Sequence, residues 1–308
     1  MNDDLRELAD DYLRHVEATG KSPQTLAYYR RALAELFRFL ELHSLPTGSD
    51  QVNRRELERF IVWLSNRESR RDPGRGISRQ TVIGYYRALR TFWAWMVTIE
   101  EELDRSPFER MRAPRPEYKP VPILQDDELQ ALIAACRGNT FAARRDLAII
   151  RFLMDTGVRR SEIHGLTVRD LDFKLMVATV TGKGNRQRMV PFGNRTAEAL
   201  RRYLRARRRH PFAAETEALW LGRVGPLQKH GIRDIIRRRA DDAGVPNVHL
   251  HRFRHTASHL FMANGGQETD LARLNGWTST AMAARYGASA AEERAIAAHR
   301  RAALGDRF

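Results

Sequence analysis

The segment from His251 to Tyr286 gathers residue types that act on phosphate esters, and it reads HRFRHTASHLFMANGGQETDLARLNGWTSTAMAARY. His251 and Arg254 are three residues apart, so a helix sets them on one face, and His255 and His259 continue along neighbouring positions. A Gly265-Gly266 break follows, then a short amphipathic piece with Leu271 and Leu274, then Asn275-Gly276-Trp277. Tyr286 stands nine residues beyond Trp277. Cationic groups, an indole N–H and a phenol brought together suit one chemistry: a hydroxyl attacks a phosphodiester while fixed donors hold the developing charge. A phenol of pKa about 10 is mostly protonated at neutral pH, roughly 4 kcal/mol short of its anion. Cations gathered around Tyr286 are expected to offset that deficit.

The histidines admit a second reading. His249, His251, His255 and His259 have a spacing that suits a metal on a helix face. Arg254 in the same turn and the lack of a supporting Cys argue against it, so neither metal nor cofactor is expected. The single cysteine, Cys136, shares an apolar helix face with Leu129, Leu132 and Ile133 and reads as a buried structural thiol.

Two upstream stretches complete a pattern. Thr156-Gly157-Val158-Arg159-Arg160-Ser161-Glu162 precedes Leu166 and Asp170, and Thr181-Gly182-Lys183-Gly184-Asn185-Arg186 precedes Val190-Pro191. With the H-x-x-R of His251 and Arg254, the Gly276-Trp277 pair and Tyr286, these resemble, in order, the motifs of the tyrosine recombinases, or phage integrase family. Most members carry a second histidine where this chain has Trp277; a minority carry Trp, which keeps a donor and gives up proton chemistry. The resemblance spans roughly residues 120–290 by motif and, more loosely, the helical N-terminal third.

The resemblance implies a site-specific DNA recombinase that joins Tyr286 to a 3′-phosphate, frees a 5′-hydroxyl and religates to a new strand through a Holliday junction, without ATP or metal. Arg159, Arg254, His251 and Trp277 would donate to the phosphate. His251 would help remove the tyrosine proton and Lys183 would protonate the leaving oxygen, with Glu162 and His255 orienting the donors. Double-stranded core DNA and a tetramer of this chain formed on it are the expected partners; the tail after Gly287 is long enough to dock on a neighbouring subunit through Ile296, the alternative being that it packs on its own domain. The length fits a short recombinase: a simple phage or mobile-element integrase, or a chromosome-dimer resolvase. A type IB-like topoisomerase would use the same residues without exchanging partners, and a DNA-binding regulator would bind without a covalent adduct.

The elements that must position these residues follow from composition and period. At 308 residues the chain has room for two domains with separate cores. A net charge of +15 points to a polyanion, and only five of the 53 basic residues are Lys. Arg binds phosphate through a two-donor fork where Lys offers a point charge. The excess is uneven: residues 1–112 hold 19 basic against 18 acidic residues, and residues 113–308 hold 34 against 20. A lone cysteine, no membrane-length apolar run and no signal-peptide pattern predict a cytoplasmic protein.

Residues 2–19, Pro23 to His43, a stretch opened by the Asn53/Glu56 box, and one capped by Ser78 read as four helices. They predict a helical core-DNA-binding domain over 1–106, with Val82, Tyr85, Leu89, Phe92, Trp93 and Met96 as core and Arg79, Arg87 and Arg90 as phosphate contacts. RESRRDPGRG reads as a loop. Five of twelve prolines fall between Pro107 and Pro122, predicting an extended linker. Residues 123–308 then form an α+β catalytic domain, so the class is mainly α with a small antiparallel sheet. Its strands are expected at 168–173, 175–181 and 187–192, with Lys183 at a hairpin tip. A helix capped by Asn194 carries six Arg between Arg201 and Arg209, and another over 228–243 adds Arg233, Arg237, Arg238 and Arg239. These stripes, with Arg186, Arg205 and Arg237 as named contacts, predict a surface that tracks the DNA backbone.

Overall fold

Side-chain caps start the second, third and fourth helices where the sequence places them, while the first begins at Leu5, capped by Asp4, three residues later than expected. Asp4, Ser22, Asn53 and Ser78 accept from backbone N–H groups at the starts of α1 (Leu5–Ala18), α2 (Pro23–Leu42), α3 (Arg54–Ser65) and α4 (Arg79–Thr98). Such a cap satisfies one of the donors that a helix start leaves free. The computed structural model describes residues 4–69, 72–115, 122–303 and 305. By internal contacts the chain divides into two units, Met1–Lys119 and Pro120–Phe308.

In the first unit the aromatic stripe is core: Phe39, Phe60, Phe92, Trp93 and Trp95 are buried. On α4 the buried tyrosine is Tyr86 rather than Tyr85, and its hydroxyl donates to the Met111 carbonyl at 3.0 Å. That bond, and Phe108 against the Tyr86 ring at 5.2 Å, carry this core past residue 106 into the proline-rich stretch. Residues 116–121 of that stretch lie outside the described residues. Where a loop was expected, β1 (Glu68–Ser69) pairs with β2 (Asp72–Gly76) as a hairpin.

The second unit begins with α5 (Asp126–Ala134), α6 (Phe141–Thr156) and α7 (Arg160–His164). Three antiparallel strands follow in the order β3 (Leu171–Asp172), β4 (Val177–Thr181), β5 (Gln187–Pro191). The first strand is shorter than expected because Asp170 accepts from the Thr167 backbone and hydroxyl and winds 168–170 into a single 3-10 turn. Next come α8 (Asn194–Arg207), the two-residue pair β6 (Leu221–Gly222) and β7 (Gly225–Pro226), and α9 (Lys229–Ala243). Gly193, not Asn194, is the cap residue of α8. The unit ends in α10 (Leu250–Ala263), α11 (Glu268–Asn275), α12 (Ala281–Ser289) and α13 (Ala291–Ala302). The fold is thus mainly helical with small antiparallel sheets. Among the described residues no helix is long and apolar enough to cross a membrane.

The core of this unit closes on α6, which packs against α8 and α10 around Phe152, Tyr203, Trp220 and Phe253. Burying each such ring is worth about 1.5–3 kcal/mol. Their polar atoms are paired as well: the Trp220 indole donates to Ile163 O at 2.9 Å and the Tyr203 hydroxyl to Leu219 O at 2.9 Å. α10 is fixed at its start by Arg252, which reaches Glu128 on α5 at 2.7 Å and the Pro246 and Ile123 carbonyls.

The arginine stripes are only partly surface. Arg207 is buried and donates to Thr216 O and Ala218 O, while Arg238 and Arg239 bind Asp146, which is fully buried on α6 and also holds Arg145. Removing one partner of such a cluster leaves charges uncompensated inside the protein. Asp146→Ala is therefore expected to destabilise the second unit by about 3–5 kcal/mol, measured by urea unfolding. A loss under 1 kcal/mol would mean that the three guanidiniums reach water unaided.

Candidate active site

Gly157 brings the first arginine segment against α10. It ends α6 with φ of 53°, and a Cβ there would lie 3.3 Å from the Arg254 backbone, so both conformation and clearance call for glycine. Arg159 follows and starts α7, whose Glu162 carboxylate accepts from the Arg159 backbone N–H at 2.7 Å and from Arg159 Nη1 at 2.9 Å. Glu162 is 1% exposed and takes two more bonds from Arg188 on β5, Nη1 at 2.8 Å and Nη2 at 2.9 Å. Burial by itself raises a carboxyl pKa; the bonds from Arg188 and the Arg159 backbone outweigh it and bring Glu162 down to about 2.

The carboxyl end of α11 faces these arginines with three successive carbonyls. Leu274 O accepts from Arg188 Nε at 2.7 Å, Asn275 O from Arg254 Nη2 at 2.8 Å, and Gly276 O from Arg159 Nη2 at 3.4 Å. A helix leaves its last carbonyls unpaired and carries partial negative charge there. Gly276, at φ 60°, turns the chain out of α11, and a Cβ on it would sit 3.2 Å from Arg188 Nη1. Arg254 also donates to Gly157 O at 2.9 Å. It is 2% exposed, whereas the Arg159 side chain is 36% exposed and keeps an open face. Burial, then the neighbouring Arg159, lower the Arg254 pKa to about 10, which still leaves it charged at neutral pH.

Trp277 and Tyr286 stack with ring centroids 5.6 Å apart and planes 7° from parallel, and the Arg254 guanidinium lies 5.3 Å from the Trp277 ring. Both contacts are made by the face of the indole ring. Tyr286 is 4% exposed, and its hydroxyl is hydrogen-bonded to His255 Nδ1. The phenol's partner is therefore His255, where the sequence reading put His251. His251 stands next to it, 4.6 Å ring to ring, exposed. The expected offset of the phenol pKa is not reached: burial raises it, and Arg254 and Arg285 only partly counteract that. Burial, then His251 and His249, push His255 down to about 4, and burial followed by Arg254 lowers His251.

Of the sequence-predicted residues, Arg159, Glu162, His251, Arg254, His255, Trp277 and Tyr286 thus come together. Lys183 lies in the turn 183–185 between β4 and β5, with Gly184 at φ 72°; its side chain is outside those described. Arg79, Arg87 and Arg90 are exposed on α4, and Arg186, Arg205 and Arg237 are exposed in the second unit. His249 caps α10, its Nδ1 accepting from the Arg252 N–H at 2.9 Å. Sequence reasoning missed Arg188, Asn275 and Arg285. For Arg188 a signal existed, since alternation along β5 puts it on the face of buried Val190, where an unpaired charge is not tolerated.

Chemically, this arrangement can hold the charge of a phosphodiester on fixed guanidiniums beside a phenol hydrogen-bonded to an imidazole. Those are the groups that a phosphoryl transfer built on a tyrosine needs. The chain belongs to the phage integrase family, whose family model matches residues 122–293, and it is a tyrosine site-specific recombinase. It is 32% identical over 245 residues to the tyrosine recombinase XerC of Anoxybacillus flavithermus, covering 78% of each chain. It is 33% identical over 245 residues to XerC of Bacillus subtilis, covering 78% of this chain and 77% of that one. Similar solved structures include the XerH recombinase bound to its palindromic difH substrate (TM-score 0.73, 16% identity, 90% and 79% covered). Others are the Tn1549 transposon integrase with transposon right end DNA (0.72, 20%, 98% and 100%) and a lambda integrase tetramer bound to a Holliday junction (0.69, 15%, 92% and 77%). These three share the fold.

A histidine whose pKa falls from 6.5 to about 4 on folding leaves the unfolded chain binding more protons between those values. Its contribution to stability is then present above pH 6.5 and is lost as pH falls towards 4. The His255 ring is expected to remain neutral at pH 6 in the native chain and to titrate near pH 4, followed by NMR of its ring protons. A midpoint near 6.5 would contradict the buried contact with Tyr286.

Proposed function

We propose that this chain cleaves and rejoins double-stranded DNA at specific core sites through a 3′-phosphotyrosine on Tyr286. The observation that supports this reading is the Tyr286 phenol held by His255 beside two arginines anchored on the carbonyls of Asn275 and Gly276. The phenol oxygen attacks the scissile phosphorus as its proton passes to the neutral His255 imidazole. Because burial keeps the phenol protonated in the free chain, proton transfer accompanies the attack. Charge growing on the non-bridging oxygens is met by Arg159 and Arg254, with His251 and the Trp277 indole as further donors. The 5′ oxygen departs with the bonding electron pair and takes a proton from Lys183. The ester energy stays in the phosphotyrosine, so the reverse attack by a 5′-hydroxyl of a partner duplex completes exchange without cofactor.

Arg79, Arg87 and Arg90 in the first unit, with Arg186, Arg205 and Arg237 in the second, bind DNA phosphates in this reading, on DNA in the cytoplasm. Complete recombination of two duplexes cuts four strands and so needs four active sites, and the lambda integrase tetramer on a Holliday junction is the parallel for assembly. The tail docks on a neighbouring subunit, which is supported by Ile296, 46% exposed on α13.

Tyr286→Phe is expected to bind core DNA as the wild type does and to form no covalent adduct on a nicked suicide substrate in a denaturing gel. An adduct in that variant would assign the nucleophile elsewhere. Lys183→Ala is expected to cleave ordinary DNA at least about a hundredfold more slowly, and a bridging 5′ sulfur, which leaves without a proton, should restore its rate. Absence of sulfur rescue would make Lys183 a phosphate clamp and not an acid.

A further inference from the structure

Arg188 is bonded to the site at both ends and yet belongs to none of its motifs. Its guanidinium spans from the Glu162 carboxylate, at 2.8 and 2.9 Å, to the Leu274 carbonyl at 2.7 Å, and its side chain is 12% exposed. Four donors fill Glu162: Arg188 Nη1 and Arg159 Nη1 on Oε1, Arg188 Nη2 and the Arg159 N–H on Oε2. Glu162 is thus shared between two cations and is not the private partner of Arg159. The same Arg188 group also fixes the turn from which Gly276 O faces Arg159 and Asn275 O faces Arg254.

We infer that Arg188 is a positioning residue for the reaction: it draws off half of the Glu162 charge and braces the end of α11, so that Arg159 is held with its open face and its charge available to the scissile phosphate. This rests on the assignment of Tyr286 and Arg159 made above. Without Arg188, Glu162 has only Arg159 to neutralise it. Arg159 then closes on the carboxylate as a two-pronged pair and is withdrawn from substrate. A lysine at 188 keeps a charge near Glu162 but cannot reach both carboxylate oxygens and Leu274 O.

The test compares Arg188→Gln and Arg188→Lys with the wild type on two suicide DNAs, one with an ordinary scissile phosphate and one with a neutral methylphosphonate there. Covalent adduct is measured in single turnover at saturating enzyme, alongside DNA affinity and thermal midpoint. On phosphate both variants are expected to form adduct about ten- to a hundredfold more slowly with unchanged DNA affinity. On methylphosphonate, which has one negative charge fewer for Arg159 to meet, the deficit should shrink to a few-fold. Normal rates on phosphate would overturn the inference. So would an equal deficit on both DNAs, which would mark a loosened fold. If Arg188→Gln does not fold, the ratio for Arg188→Lys decides by the same two criteria. A wild type that makes no Tyr286 adduct on phosphate would instead sink the assignment beneath it.

Discussion

Three guanidiniums on the carboxyl end of one helix are the constraint from which the site follows. Like charges at such range repel one another, and the lowered pKa of Arg254 reflects burial first and that repulsion second. What holds them is the row of carbonyls at Leu274, Asn275 and Gly276, aided by the Glu162 carboxylate. Each hydrogen bond to a charged group is worth about 1.5–3 kcal/mol, and buried groups left without one would cost more than that. With one carboxylate among three arginines the cluster keeps a surplus of two positive charges. A pentacoordinate phosphate carries two negative ones. In the proposed reaction the free protein therefore already holds the field that this transition state requires, so little reorganisation is left for the moment of attack.

The same burial that strengthens this field works against the proposed nucleophile. Tyr286 lies in a small apolar cluster with Met262, Leu271 and Ala283, its ring on Trp277, and burial raises its pKa despite Arg254 and Arg285. A preformed phenolate is thereby disfavoured. In the proposed reaction the depression of His255 resolves the conflict, because a neutral imidazole at the hydroxyl can accept the proton as the oxygen–phosphorus bond forms. Cation clustering thus acts on the base as well as on the phosphate: His251, His249, Arg285 and Arg254 all help keep His255 neutral.

Much of this was legible in the chain because it is local. Caps and apolar period located the long helices to within a few residues, and the spacing of His251, Arg254, Trp277 and Tyr286 picked out residues that do meet. What escaped was settled by tertiary pairing. The arginine run over 201–209 reads as a surface that tracks the DNA backbone, yet Arg207 turns inward to the carbonyls of Thr216 and Ala218. Arg238 and Arg239 read as a basic stripe, yet both are engaged by Asp146, more than ninety residues earlier in the chain. Nothing in composition says which carboxylate a given arginine will find. The choice between His251 and His255 as partner of the phenol turned on where α12 lies beside α10, which no local pattern encodes.

The preorganised cluster is tested most directly by a crystal structure of the chain on DNA nicked at the scissile position, with orthovanadate bridging Tyr286 and the 5′ oxygen as a mimic of the pentacoordinate phosphate. The account predicts Arg159 and Arg254 on the equatorial oxygens with their bonds to Gly276 O and Asn275 O still made, and Arg188 still joining Glu162 to Leu274 O. Vanadate held by other groups, or arginines that reach it only after leaving those carbonyls, would contradict it.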